Sequence, residues 1–297
     1  MNAGRWTLVA ACLAAATAVY AEDLVLFSAA GSPAELWTWG GAKIVKQEGK
    51  LLVSNNNPKG SAGDVYIEER FAYVPAANVE VNVDRVVSGD YAVQVLAFKG
   101  DIFLGSVDLV KGSLRTGLQL FPLVNAKLPG GADRVSFKIW VAGAPTSATV
   151  LNDLRYYVPV TPANILYDKK IDASVTNLVA DKATCRAGDN GAAISLLPGE
   201  PYGSVVFLDQ IAKPPQGTLV VQASDIQNAT LTAQVCAFDQ WGNYIDSLDA
   251  IKRGGTTLSG SLAALPWAPE AATFQVKVWL GGSTNASAVI HRIAVVK

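Results

Sequence analysis

Arg134-Val135-Ser136-Phe137-Lys138-Ile139-Trp140-Val141-Ala142-Gly143 decides the fold. Phe137, Ile139 and Val141 alternate with Ser136, Lys138 and Trp140, the period-two pattern of a strand with one dry and one wetter face. A close match returns as Thr273-Phe274-Gln275-Val276-Lys277-Val278-Trp279-Leu280-Gly281-Gly282, and the two tryptophans are 139 positions apart (279 − 140). A second pair, Gln94-Val95-Leu96-Ala97-Phe98 and Gln234-Val235-Cys236-Ala237-Phe238, repeats at 140 (234 − 94). Matched segments in one order at nearly one offset read as a single unit written twice.

The rest of the chain fits that reading. Short alternating runs, broken by Gly or Pro about every ten residues, argue an all-β sandwich or barrel. Strands are expected over residues 24–28, 43–47, 51–54, 64–71, 78–86, 91–98, 102–110, 115–123, 134–142 and 148–158. Glu48-Gly49-Lys50 makes a hairpin turn, Asn55 to Gly60 reads as loop, and Ser88-Gly89-Asp90 reads as a turn between strands. Pro33, Trp37, Trp39 and Gly40-Gly41 read as a loop. The expectation is therefore two tandem antiparallel β-sandwich (jelly-roll) domains, at 22–158 and 163–297. Pro159-Val160-Thr161-Pro162 is a short stiff linker that limits their relative orientation.

With 297 residues, half of them hydrophobic and 16% charged, there is enough chain for two cores and too much apolar content for disorder. A formal net charge of −1 gives no electrostatic case for nucleic acid, and no later apolar run reaches the length of a membrane span. Residues 1–21 read as a cleaved export signal: Arg5 supplies a positive charge, Trp6 to Val19 an apolar core, and Val19-Tyr20-Ala21 a cleavage site. An uncleaved anchor is disfavoured by the short run. Val9-Ala10-Ala11-Cys12 also matches a lipoprotein box, but few apolar residues precede Cys12. The expected location is extracytoplasmic, in the periplasm, at the cell surface or secreted.

Loss of Cys12 leaves Cys185 and Cys236, opposite Val45 and Leu96 in the first copy. Either a disulfide or two buried thiols suits them. No metal-ligand spacing is present.

Strand parity points to a site. A lysine beside a tryptophan is costly in a dry core, so Lys138, Trp140, Lys277 and Trp279 belong on the face turned from it. Gln94 and Gln234 fall on the corresponding face of the neighbouring strand. An indole with amide and ammonium groups suits sugars, whose C–H faces stack on rings and whose hydroxyls exchange hydrogen bonds. The competing reading makes these indoles structural, covered by lysine stems. Trp37, Trp39, Trp241 and Tyr244 are further candidates as loop aromatics. Trp267, between Pro266 and Pro269, equally suits the covering of a core.

Catalysis has little support. His291 is the only histidine, and no nucleophile elbow or phosphate-cradling glycine loop appears. Asp239 and Asp246 suit calcium or simple turn hydrogen bonds. Asn228-Ala229-Thr230 and Asn285-Ala286-Ser287 match the glycosylation sequon.

Each half resembles the galactose-binding-like jelly rolls, and among them carbohydrate-binding modules. The likeness lies in Gln234 to Tyr244, in the Phe274 to Trp279 strand, and in Val150-Leu151-Asn152-Asp153-Leu154-Arg155-Tyr156. It implies a structural calcium near the first strand, with Asp153 as the one ligand carried over; Ile290-His291-Arg292-Ile293 departs from that pattern. The resulting expectation is a non-catalytic protein binding polysaccharide or another glycan. The alternative is a structural or adhesive envelope protein with protein partners, and the weakest is a glycoside-active enzyme.

Overall fold

The computed structural model describes residues 23–30, 36–57, 62–111, 116–254 and 256–297. The export signal with Cys12, Pro33, the end of the 55–60 loop and Arg115 lie outside them.

The protein is all-β, with a single 3-10 turn at Leu123–Asn125 among the described residues. The first half contributes β1 (Leu24–Ser28), β2 (Leu36–Trp39), β3 (Ala42–Gln47), β4 (Lys50–Asn55), β5 (Ala62–Ile67) and β6 (Phe71–Ala72). It continues with β7 (Asn78–Ser88), β8 (Asp90–Lys99), β9 (Ile102–Lys111), β10 (Gly117–Pro122), β11 (Arg134–Ala142) and β12 (Ala148–Val158). One antiparallel sheet has the order β10-β7-β12-β4-β3, with β1 also on β12; the other has β2-β5-β11-β8-β9, with β6 also on β11. Val79, Val81 and Val83 of β7 face Phe137, Ile139 and Val141 of β11 across one dry cluster, all at most 1% exposed. That is a sandwich of two sheets.

Ser88-Gly89-Asp90 is not a hairpin. β7 and β8 lie in different sheets, so the chain turns a corner from one layer to the other at Gly89. The run expected over 64–71 likewise splits, into β5 and β6, both on one edge of β11.

The second half contributes β13 (Ile165–Lys170), β14 (Leu178–Asp181), β15 (Ala183–Gly188), β16 (Gly191–Leu196) and β17 (Tyr202–Ala212). It ends with β18 (Thr218–Phe238), β19 (Tyr244–Gly254), β20 (Thr257–Ser261) and β21 (Thr273–Val296). Here the corners are not breaks. β18 and β21 run through as strands of 21 and 24 residues, and all nine strands join in one sheet around a second apolar cluster. The bends are absorbed by register shifts in the β18–β21 ladder around Gln227, with Asp225, Asn228 and Asn285 at positive φ.

The halves touch directly. Val220, Ala294 and Val296, on the outer side of β18 and β21, pack into the first half's cluster. Ser259 Oγ accepts from the Ala72 amide at 2.9 Å, and Gln222 Nε2 donates to the Val25 carbonyl at 2.7 Å.

Tyr156 pins the first sandwich together. Its fully buried hydroxyl donates to the Ala72 carbonyl at 3.0 Å and accepts from the Val74 amide at 2.9 Å, tying β12 to the opposite layer. Burial above all raises its pKa far beyond the ordinary tyrosine value, so it remains a donor. Tyr156→Phe strands two buried backbone groups. Urea unfolding is expected to show a loss of about 2 kcal/mol, and an unchanged midpoint would refute the pin.

Candidate functional site

The outer face of the β2-β5-β11-β8-β9 sheet gathers most of the first half's candidate residues. The loop expected from the sequence at Trp37 and Trp39 is a strand instead. They lie on β2, an edge strand, at 54% and 61% exposure, paired with Tyr66 and Asp64 of β5. Leu36-Trp37-Thr38-Trp39 alternates as a strand should, and its aromatic and β-branched content favours one. The Gly40-Gly41 pair that follows, at φ +66° and +85°, turns the chain into β3.

Two rows of side chains cross this sheet. One runs Trp37, Tyr66, Lys138, Gln94, Asp108 over five strands in register. The other runs Trp39, Asp64, Trp140, Ala92, Lys111. Lys138 and Trp140 are half-buried on the side turned from the core, as strand parity requires.

The charges on these rows are paired. Lys138 Nζ lies 3.7 Å from Asp64 and Lys111 Nζ 3.8 Å from Asp108. Gln94 Nε2 donates to Asp108. Tyr66 donates to Asp64 at 3.4 Å and packs on Trp37 with ring centroids 5.3 Å apart. Burial, and after it the Asp64 carboxylate, raises the Tyr66 pKa above its usual value and keeps the hydroxyl protonated.

Beside the rows lies an open groove of about 320 Å³, lined by Trp37, Tyr66, Arg70, Leu96, Phe98 and Ser136 among others. Arg70 sits 4.5 Å above the Phe98 ring and is bound to Asp101 at 2.6 Å. Rings alternating with amide, hydroxyl and ammonium groups can stack on apolar faces and exchange hydrogen bonds with hydroxyls.

The second half places Lys277, Trp279 and Gln234 on the matching face. Val179, Val206, Lys277, Gln234 and Asp249 stand in one row, and Asp181, Ser204, Trp279 and Thr232 in the next. Valines and an aspartate thus hold the positions that carry Trp37, Tyr66 and Trp39 in the first half. The indole nitrogen of Trp279 donates to Gln234 Oε1 at 2.7 Å, while Gln234 Nε2 donates to Asp249 at 2.7 Å. Lys277 Nζ lies 4.1 Å from the Trp279 ring centroid, and the Tyr202 ring lies 6.0 Å away.

The other candidates do not join these faces. Trp241, 77% exposed, tips a turn closed by the Asp239 carboxylate, which accepts from the Trp241 amide at 2.9 Å and the Asn243 amide at 2.8 Å. The Asn243 side chain, with those backbone donors, holds the Asp239 pKa below the usual carboxylate value. Tyr244 packs edge-on against Phe238 at 5.9 Å. Phe238 is four residues from Gln234, about 13 Å along the strand. Trp267 covers the second core: it packs on Phe274 at 5.7 Å and donates to the Leu262 carbonyl at 2.7 Å.

Asp153 does lie beside the first strand. Its carboxylate accepts from Ser28 Oγ at 2.8 Å, the Ala30 amide at 3.0 Å and its neighbour Leu154's amide at 2.8 Å, so its oxygens hold β1 to β12. Among the described residues, no group of three or more His, Cys, Asp or Glu side chains is placed to hold a metal.

Cys185 and Cys236 are free thiols, not a disulfide. Cys185 is the third residue of its hairpin strand, the place that Ile44 holds in β3, and both pack against a core. Partial burial raises the Cys185 pKa, which disfavours the reactive thiolate.

No family model and no curated protein matches the chain. Solved structures similar to it include the N-terminal CBM22-1–CBM22-2 tandem domain from Paenibacillus barcinonensis Xyn10C, at 8% identity over 92% of this chain and 98% of that one, TM-score 0.29. Carbohydrate-binding modules of the β-sandwich superfamily align at 12% identity over 88% and 94%, TM-score 0.29. A fucolectin from striped bass (Morone saxatilis) serum aligns at 6% identity over 88% and 85%, TM-score 0.23. Overlaps this loose carry no functional argument, which is built on the chain's own faces.

Proposed function

We propose that this is an exported, non-catalytic protein of two duplicated β-sandwich units, 22–158 and 163–297, that binds carbohydrate on the outer face of the β2-β5-β11-β8-β9 sheet. The observation that carries the binding reading is the pair of rows centred on Lys138 and Trp140, with Trp37, Trp39 and Tyr66 at their edge. An indole and a phenol at 5.3 Å offer ring surface, with the Lys138 ammonium one strand beyond Tyr66 and the Gln94 amide two.

Support for duplication comes from element starts. β5 and β17 begin at 62 and 202, β7 and β18 at 78 and 218, and β11 and β21 at 134 and 273. A non-catalytic role fits the carboxylates of the face. Asp64 and Asp108 are engaged by Lys138 and Tyr66 and by Lys111 and Gln94, scaffold partners rather than proton-transfer partners. Export rests on the signal-like residues 1–21.

The test is retention on insoluble polysaccharides and in affinity gels. Trp37→Ala and Trp140→Ala are each expected to weaken binding about 10- to 30-fold, the loss of an aromatic anchor. Retention unchanged in both variants would remove this face as the site.

A further inference from the structure

The halves share a strand plan, but their outer faces are in different states. We infer, building on the carbohydrate reading above, that ligand is taken by the first half alone and that it is an uncharged, extended glycan. The matching face of the second half is closed by its own side chains.

The contrast centres on two tryptophans at the same strand position. In the second half, Trp279 has no unused function. Its N–H is given to Gln234 at 2.7 Å, and the Lys277 ammonium occupies a position 4.1 Å from the ring centroid. A cation that close takes the ring face on which a sugar's C–H bonds would stack, and the attraction holds it there. Gln234 is engaged at both ends, with its carbonyl on Trp279 and its amide on Asp249.

In the first half, the same amide donates to Asp108, but its carbonyl oxygen, Gln94 Oε1, is buried without a partner. Trp140 donates no hydrogen bond among the described residues, and the nearest ammonium, that of Lys111, is 6.0 Å from its ring. The indole N–H is left for an outside acceptor. A buried carbonyl without a donor costs free energy, and a ligand hydroxyl that reaches it recovers that cost. A sugar hydroxyl is both donor and acceptor and serves both groups.

The edge strand adds to the difference. Trp37 and Trp39 stand where the second half has Val179 and Asp181, and Tyr66 stands where it has Val206. The second face keeps an exposed ring at Tyr202, beside Trp279, but has none on its edge strand β14, where the first carries Trp37 and Trp39 on β2.

Length and charge identify the ligand class. From Trp37 to Asp108 the row crosses five strands, four steps of ~4.8 Å or about 19 Å, long enough for several pyranose rings. Its rows carry Lys138, Lys111, Asp64 and Asp108, two of each sign and already paired, so no excess positive charge awaits a uronate or sulfate.

The experiment is calorimetric titration of the full chain. The probes are uncharged hexasaccharides of β-1,4-glucose, β-1,4-xylose, β-1,4-mannose and β-1,3-glucose, with oligogalacturonate as the charged comparison. One site per chain is expected for an uncharged oligosaccharide. Trp37→Ala should weaken it at least about 10-fold, with Trp39→Ala as a second exposed variant, while Trp279→Phe, checked for fold by circular dichroism, should stay within about 2-fold of wild type. Two sites per chain, a loss on Trp279→Phe matching that on Trp37→Ala, or preference for oligogalacturonate would overturn the inference while leaving the carbohydrate reading standing. No binding of any probe, soluble or insoluble, would overturn both.

Discussion

Gly89→Ala is expected to lower the unfolding free energy by roughly 3–5 kcal/mol, a large loss for a single added methyl. Gly89 has φ +79°, and a Cβ there would sit 2.2 Å from the Ala142 carbonyl oxygen and 2.6 Å from Ser147 Oγ. Both effects point the same way. The left-handed conformation is unfavourable for any residue with a Cβ, and the nearest obstacle is backbone, which cannot rotate aside. Ala142 ends the strand whose own corner, at Gly143, lies beside Gly89, so relief at one corner disturbs the other. Gly100→Ala is the comparison, because Gly100 has φ +55° with open space where its Cβ would go. It should cost only about 1 kcal/mol. Equal losses in urea unfolding would show that the two corners do not interlock.

Arg292→Leu is expected to cost about 2–4 kcal/mol. The guanidinium is almost fully buried and grips Asp168 with two bonds, Nε to Oδ1 at 2.6 Å and Nη2 to Oδ2 at 2.7 Å. Removing one member of a buried pair leaves the other charge without compensation, which costs more than the pair contributes net. The estimate sits below the usual 3–5 kcal/mol because the Asp168 side chain is 24% exposed and keeps some hydration. Replacing both, as Asp168→Leu with Arg292→Met, should recover most of the loss. A double variant as unstable as Arg292→Leu alone would mean that the arginine acts through other partners.

Much of this architecture was legible in the chain. The repeated strand is bounded at Arg134 and Ala142 and the next at Ala148 and Val158, where alternation and flanking Gly and Pro put them. Period two dominates where one face is buried, and each such strand has a dry side. The failures are equally physical. β2 was hidden because four residues before a Gly-Gly pair look like loop, and an edge strand needs only one partner. The continuity of β18 and β21 was hidden because Asp225-Ile226-Gln227-Asn228 has turn composition, yet its positive-φ residues bend a strand without ending it. Arg292 is buried against the expectation for a charged residue, because the outer side of its strand end is covered by the first half.

The candidate face was half legible. Parity placed Lys138 and Trp140 away from the core, but adding Trp37, Trp39 and Tyr66 to them needed strand order. Nothing local distinguishes Trp140 from Trp279. Lys277 precedes Trp279 by two residues just as Lys138 precedes Trp140, and the difference lies in how they meet Gln234 and Val206, which are neighbours only across the sheet.

The apolar strip formed by Val220, Ala294 and Val296 bears on how such a chain is taken apart. Those residues complete their neighbour's interior, so a cut through the proline-rich joint would give two fragments, each wetting surface that the intact chain keeps dry. Heating the intact chain is therefore expected to melt both halves in one calorimetric transition, and two resolved transitions would refute that coupling.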